Sequence, residues 1–458
     1  MKFPTKFEQF LPPAAVSKVL DLLSQPALSH VVRETLQKVG LKDANPVGQV
    51  QDAWRQARGW FESVIDRVLE QNHASPAAIN ASGQLFDPRW SSLPTNTVVL
   101  QALAAAAVNF QDQVRLEKFA GEVGMAATSA QAVLFVSTPS AVLAMLASSS
   151  TFRGGLVIAR ADVLRIPGST DVRGILAAGS NGFTDVGAVN GTSEDEWRLA
   201  LNSNQKTLLL ISPNSLEGEE AKSQRAAAMV AARAQRACVV EFLFDATLDS
   251  TLAERLNFPL LSSVLSTGVD LVIAPLDGLL GGPSGALVAG REDLIESLRT
   301  TAAASGVLLQ GSALAGAAAA LSPANATESS RSSVTQMLLT NADNLRERSR
   351  RMAIQLNNTA RVALAEAMPR DARLGPSPWH RYRLASHAVA VTPRNHSVEE
   401  MVLDLGSGKQ GPAIWVKSEE GRVIVDLRFV EPADDAKIVE TLVGNTTSTD
   451  APVDAPSS

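Results

Sequence analysis

Two short stretches carry residues whose types can hold or move charge. The apolar run Ala132–Val136 is followed by Ser137, Thr138 and Pro139. Threonine then proline makes a good helix N-cap and first-turn pair. A helix start with two hydroxyls can hold a phosphate or sulfate on its free N–H groups. Every capped helix shares that appearance, so the pair alone assigns no ligand. The second stretch ends in Asp245, after the apolar run Val239–Phe244. A carboxylate there can pair with a cation, or it can cap the strand end and the turn after it. The residues leave both roles open.

Other chemistry is thinner. The five histidines (His30, His73, His380, His387, His396) share no metal-ligand spacing. The single cysteine, Cys238, can build neither a zinc site nor an internal disulfide, which fits a reducing cytoplasm. Asp404-Leu405-Gly406-Ser407-Gly408-Lys409 mimics a phosphate loop without the P-loop spacing, and falls between a helix and a strand. Trp379-His380-Arg381-Tyr382-Arg383 is aromatic and basic, and reads as a solvated loop ahead of a strand.

The elements that must position these residues follow from periodicity. Residues 1–75 repeat apolar positions at helical spacing, as in Val16, Val19, Leu20 and Leu23. Pro76, Gly83, Pro88 and Pro94 then break the pattern and mark a boundary. From Ala132 to Ala289 short apolar runs alternate with amphipathic segments: Ala132–Val136, Leu156–Ala159, Phe183–Val186, Thr207–Ser212, Val239–Phe244, Val269–Ala274 and Gly285–Ala289. Ser193 with Glu196 forms a capping box at the head of one of the helices between them. Such alternation predicts an α/β fold with a mostly parallel sheet covered on both faces. Residues 76–321 are therefore the large α/β domain. A linker and one long helix, from about Val334 to Leu356, occupy 322–360. Strands Ala388–Val391, Ala413–Val416 and Arg422–Phe429 place a small α+β domain at 361–443, and the polar stretch 444–458 is expected to be disordered.

The bulk numbers exclude some classes. The chain has 458 residues, 45% of them apolar, enough for one large domain and smaller companions. A net charge of -6 gives an overall field that repels phosphate and weighs against non-specific nucleic-acid binding. The small-residue runs Ala102–Val108 and Ala313–Leu321 are too short to span a bilayer, so a soluble, cytoplasmic protein without a membrane partner is expected.

Three segments, in order, resemble a known family. Ile79-Asn80-Ala81-Ser82-Gly83, Leu279-Leu280-Gly281-Gly282-Pro283 and Val423-Ile424-Val425-Asp426-Leu427-Arg428 are similar to segments of the bacterial selenocysteine synthases, the L-seryl-tRNA(Sec) selenium transferases. Arg160, Gly187 with Asn190, Pro213-Asn214-Ser215 and the Met337–Leu356 helix are weaker echoes. The resemblance runs over roughly residues 10 to 440. It implies a PLP-dependent transferase-like large domain of the aspartate-aminotransferase type with a mostly parallel mixed sheet, an N-terminal helical segment and a small α+β C-terminal domain.

The resemblance also assigns roles, and several are not filled. Where the family carries its Schiff-base lysine, this chain reads Pro275-Leu276-Asp277-Gly278-Leu279. Glycine has no amine, so no covalently bound pyridoxal phosphate is expected and no catalytic residue is assigned. Asp245 stands where the family pairs an aspartate with the pyridine nitrogen. By the same comparison Ser137, Thr138, Arg160, Asn190, Asn214, Asp277, Gly281 and Gly282 are the residues left for residual binding of pyridoxal phosphate or phosphate. Gly191 replaces a family arginine, and Thr300 to Ser305 replace a basic stretch. The expectation is a non-catalytic or repurposed homologue. The alternatives are an active enzyme with a displaced lysine, for which Lys206 and Lys222 are the nearest candidates, and a scaffold that binds tRNA or protein. The resemblance further implies a homo-oligomer with a dimer as its smallest unit. The uncharged run Gly311–Leu321 suits close helix packing, in a core or at a subunit interface.

Overall fold

In the computed structural model the described residues are 77–443, apart from 88–92, 166–170, 202–205, 215, 217, 323–331, 377–378 and 410–411. The expected helical segment 1–75 and tail 444–458 lie outside them. The apolar runs become the strands of one mixed sheet. After a short β1 (Ala78–Asn80) come β2 (Ala132–Val136), β3 (Leu156–Ala159), β4 (Phe183–Val186), β5 (Thr207–Ser212), β6 (Cys238–Leu243), β7 (Leu271–Pro275) and β8 (Ala286–Gly290). Their order across the seven-stranded sheet is β2-β8-β7-β6-β5-β3-β4. Strands β7, β6, β5, β3 and β4 run parallel, and β8 is antiparallel to both its neighbours.

Burial on both faces explains why these strands read as unbroken apolar runs rather than alternating ones. In β5, Leu208 and Leu210 pack into one core, and Leu209 and Ile211 into the other. Helices α1 (Thr97–Ala107), α2 (Gln113–Thr128), α3 (Pro139–Ser148), α4 (Val172–Ala177), α5 (Glu194–Leu201), α6 (Gly218–Gln235), α7 (Ser250–Leu256), α8 (Leu261–Val264), α9 (Glu292–Ala304) and α10 (Gly311–Leu321) surround the sheet. The capping box opens α5 as its sequence predicts: Ser193 N donates to Glu196 at 2.7 Å, and Glu196 N to Ser193 Oγ at 3.3 Å. Helix α10 packs on α1 so closely that a Cβ on Gly316 would lie 2.8 Å from Leu103. The small-residue run is thus accounted for by packing within the chain and lends a dimer no separate support.

The C-terminal portion departs from expectation in two places. The single long helix is instead α11 (Ser333–Leu339) and α12 (Ala342–Asn357). Asn341 caps α12 by accepting from Asp343 N at 3.0 Å, and Arg428 donates to the carbonyls of Met337 (3.2 Å) and Thr340 (2.6 Å). Thr and Asn favour caps over helix interiors, which is the local reason for the break. The other departure is in the strands: the sequence predicts neither the short Lys417–Glu419 nor β9 (Val362–Arg373), which pairs along its length with β10 (Arg383–Pro393). Pro369 is tolerated because β9 is an edge strand in the order β12-β13-β10-β9. Here β12 is Lys417–Glu419 and β13 is Arg422–Asp426, while β11 (Ala413–Trp415) pairs in parallel with β1. Helix α12, with α13 (Val398–Ser407) and α14 (Asp435–Val443), covers this antiparallel sheet over a core that includes Met352, Val389 and Val425. The stretch that mimics a phosphate loop is the end of α13, with Gly408 as its left-handed C-cap.

Candidate functional site

In open α/β sheets ligands sit beyond the carboxyl ends of the strands, and there the chain buries Asp162 and Asp245. Strands β5 and β6 end side by side, with Phe244 N donating to Ser212 O at 2.8 Å. The next residue, Asp245, has no exposed surface. Its Oδ2 accepts from Ser212 Oγ at 3.1 Å and from the Tyr382 hydroxyl, and faces Arg381 Nη2 at 3.6 Å. Burial pushes this carboxyl above the usual range, and the hydrogen bond from Tyr382 and the charge of Arg381 work against it. Its Oδ1 is buried without a hydrogen-bond partner. An orphan of that kind costs about 1–3 kcal/mol.

Tyr382 and Arg381 reach Asp245 because their segment is not a solvated loop. It folds as a short 3-10 turn, Trp379–Arg381, pinned by aromatic contacts. Trp379 stacks on Phe86 at 4.4 Å, and Tyr382 meets Phe258 edge-on at 4.9 Å. Arg381 lies 4.8 Å over the Tyr382 ring and donates to Leu216 O at 3.0 Å. The reading of a solvated loop failed because its aromatic residues find partners more than a hundred positions away in the chain.

Two further acids line the same region. Asp162, after β3, accepts from Asn214 Nδ2 at 2.8 Å and from Ile211 N at 3.3 Å. Burial raises its pKa to about 7, more than those two hydrogen bonds lower it. Glu241, inside β6, is held by Arg225 of α6 through paired contacts of 2.7 Å to Oε1 and Oε2. These groups line one cavity of about 520 Å³ between β5, β6, α6 and α8, with Ser212, Asp245, Arg381 and Tyr382 in its wall. Lys222 is also in that wall, its ammonium bound to Glu219 at 2.7 Å. Trp197 Nε1 and Gln224 Nε2, on two more lining residues, are buried without partners.

The residues anticipated from sequence fall into four places. Asn214 and Asp245 meet at the cavity. Asp277, Gly281 and Gly282 lie on the turn after β7, where Gly281 N donates to Gly278 O at 3.1 Å and Gly282 N to Leu276 O at 2.7 Å. Asp277 accepts from Ser284 at 3.1 Å, and its burial raises its pKa. Ser137 and Thr138 stand at the start of α3. There the Thr138 hydroxyl caps its own helix through Ala141 N at 3.1 Å, and Ser137 N is used by Val307 O at 2.8 Å. Arg160 is half-exposed and paired with Asp185 at 3.5 Å, and Asn190 is exposed on a turn after β4.

Sequence reasoning missed Asp162, Glu241 with Arg225, Trp197, Gln224, and the Arg381–Tyr382 pair. One signal was available: a glutamate inside the apolar run of β6 has to be paired once both faces are covered. Nothing in the spacing identified Arg225 as its partner.

Comparison with known proteins gives this architecture its relatives. The family described as L-seryl-tRNA selenium transferase matches residues 112–431. An L-seryl-tRNA(Sec) selenium transferase of Hyphomonas neptunium is 26% identical over 453 residues, covering 95% of this chain and 96% of that one. One of Carboxydothermus hydrogenoformans is 22% identical over 447 residues, covering 93% of each. Among solved structures, a D-glucosaminate-6-phosphate ammonia-lyase superposes with a TM-score of 0.60 at 16% identity, over 82% of this chain and 97% of that chain. That likeness shows the fold, an α/β architecture with a mostly parallel mixed sheet as expected from the sequence. With the match spanning most of its length, this chain belongs to the L-seryl-tRNA selenium transferase family.

Proposed function

We propose that this family member does not anchor pyridoxal phosphate and is a non-catalytic or repurposed selenium-transferase-like protein. The observation that carries the reading is Gly278. It is buried on the turn after β7, and a Cβ built there would lie 3.9 Å from Phe244 O and 3.8 Å from Pro275 O. A side chain at this position would start beside the residue preceding Asp245, with ordinary van der Waals room. Glycine places no amine there. The cofactor's other contacts are fitted only in part. The free Oδ1 of Asp245 suits a ring N–H, but its Oδ2 is taken up by Tyr382 and Ser212. The hydroxyl of Thr138 is used within its own helix. These residues do not fit a covalently held cofactor.

A second reading has one observation in its favour: Lys222 shares the cavity wall with Asp245, so a displaced lysine is available to an active enzyme. Its side chain is 62% exposed and its ammonium is engaged by Glu219, which favours the first reading.

Absorbance of the purified protein with added pyridoxal phosphate, followed by borohydride reduction and peptide mapping, separates the two. No lysine adduct is expected, and an adduct on Lys222 would establish the second reading. Gly278→Lys is expected to create Schiff-base absorbance; a colourless, folded variant would show that the pocket no longer accepts the ring. The relatives' names extend the proposal to a tRNA partner, and the family resemblance extends it to a homodimer. Light scattering should give about twice the 48.3 kDa chain mass, and filter binding with transfer RNA tests the scaffold reading.

A further inference from the structure

The cavity beside Asp245 contains more polar chemistry than the fold requires. Three of its lining residues each bury a polar atom that has no partner. Two are donors, Trp197 Nε1 and Gln224 Nε2, and one is an acceptor, Asp245 Oδ1. Native proteins seldom leave such atoms unpaired unless water or a ligand completes them. The titratable groups in the wall are equal in number, with the acids Asp162, Glu241 and Asp245 set against Lys222, Arg225 and Arg381. Leu210, Leu243 and Leu260 supply an apolar wall between the polar groups. A volume of about 520 Å³ lies within the usual range of small-molecule sites.

We propose that this cavity is a non-covalent site for a small amino carboxylic acid, with its ammonium directed to Asp245 and its carboxylate to the Trp197 and Gln224 donors. The orphan atoms select this class. A phosphate ester would leave the Asp245 acceptor without a donor, and a simple amine would leave both donors unfilled. A zwitterion satisfies donors and acceptor without disturbing the net charge, and its methylenes lie along the leucines. The proposal rests on the reading that no cofactor is anchored at Asp245, since a bound pyridine ring would claim the same oxygen.

The test is calorimetric titration of the full chain with glycine, β-alanine, γ-aminobutyrate and ε-aminocaproate, a ladder that varies the separation of the two charges. Valerate and butylamine, each lacking one charge, are the controls. One length is expected to bind best, and both controls are expected to be weaker by about tenfold or more. Asp245→Asn and Gln224→Leu should each weaken the preferred compound by a similar factor while melting remains cooperative. No heat from any compound at millimolar concentration would mean that water alone completes these atoms, and would overturn the proposal. Equal binding of the controls, or unchanged binding by both variants, would overturn it as well. A borohydride-fixed lysine adduct with pyridoxal phosphate would instead overturn the reading beneath it, a result that does not depend on the heats.

Discussion

Replacing Asp162 by asparagine should change how the stability of the protein depends on pH. The carboxyl is buried after β3, and burial lifts its pKa to about 7 against the pull of Asn214 and Ile211 N. In an unfolded chain an aspartate titrates near about 3.9. The folded pKa is the higher one, so the folded state binds a proton that the unfolded state releases. Stability from this group is therefore fully present below about pH 4 and is lost as pH rises through about 7. Each pH unit in that window is worth about 1.4 kcal/mol, or about 4 kcal/mol in all, as an order of magnitude. Asparagine keeps an acceptor for only one of the two donors, Ile211 N or Asn214 Nδ2, and strands the other at a cost of about 1–3 kcal/mol that does not vary with pH. The variant should thus be less stable than the parent at about pH 5 and should close or reverse that gap by about pH 8, a relative change of about 2–3 kcal/mol. Urea unfolding at both pH values measures it, urea being chosen because it adds no ionic screening. Asp245 and Asp426, whose pKa values burial also raises, titrate in both proteins and cancel in the comparison. Parallel stability curves for parent and variant would refute the assignment of a raised pKa to Asp162.

Tyr382→Phe removes a hydroxyl donor from the buried Asp245 and should destabilise the protein by about 1.5–3 kcal/mol in urea unfolding. The sequence has one tyrosine, so alkaline phenolate absorbance reports Tyr382 alone. Burial and the Asp245 charge raise its pKa, and phenolate should appear only as the chain unfolds. Arg225→Ala leaves Glu241 inside β6 without its cation and should cost about 3 kcal/mol. Adding Glu241→Gln should recover part of that loss in a double-mutant cycle. Gly83→Ala forces a Cβ to within 2.6 Å of Asp426 Oδ2 at a φ of +70°, so the melting temperature should fall by several degrees.

The sequence made the large sheet legible and left most of its site hidden, and the difference is one of range. Runs such as Thr207–Ser212 and Val239–Phe244 became β5 and β6 to within one residue, because burial on both faces writes itself locally into composition. The Thr138 cap and the Ser193–Glu196 box are local as well and formed as read. The break between α11 and α12 was also local in Thr340 and Asn341, but the apolar spacing across it continued the helical pattern. Strand β9 was not legible because charged residues and Pro369 interrupt its alternation, and its long pairing with β10 overrides them. At the cavity Asp245 was singled out by its place at a strand end. Its partners were not, since Tyr382 reaches it across 137 positions of chain, and Arg225 meets Glu241 from another element 16 residues away.

The turn after β7 closes on its own backbone: Leu276 N donates to Gly285 O, Gly282 N returns to Leu276 O, and Thr95 Oγ1 holds Gly281 O at 2.5 Å. No side chain at 278 takes part in those bonds. The entropy of ordering this segment is therefore met during folding and not when a ligand arrives. In hydrogen-exchange terms its amides should open with the sheet, and a small molecule should change their protection by no more than it changes that of the sheet. A turn built this way draws its shape from backbone bonds and not from a side chain at its tip.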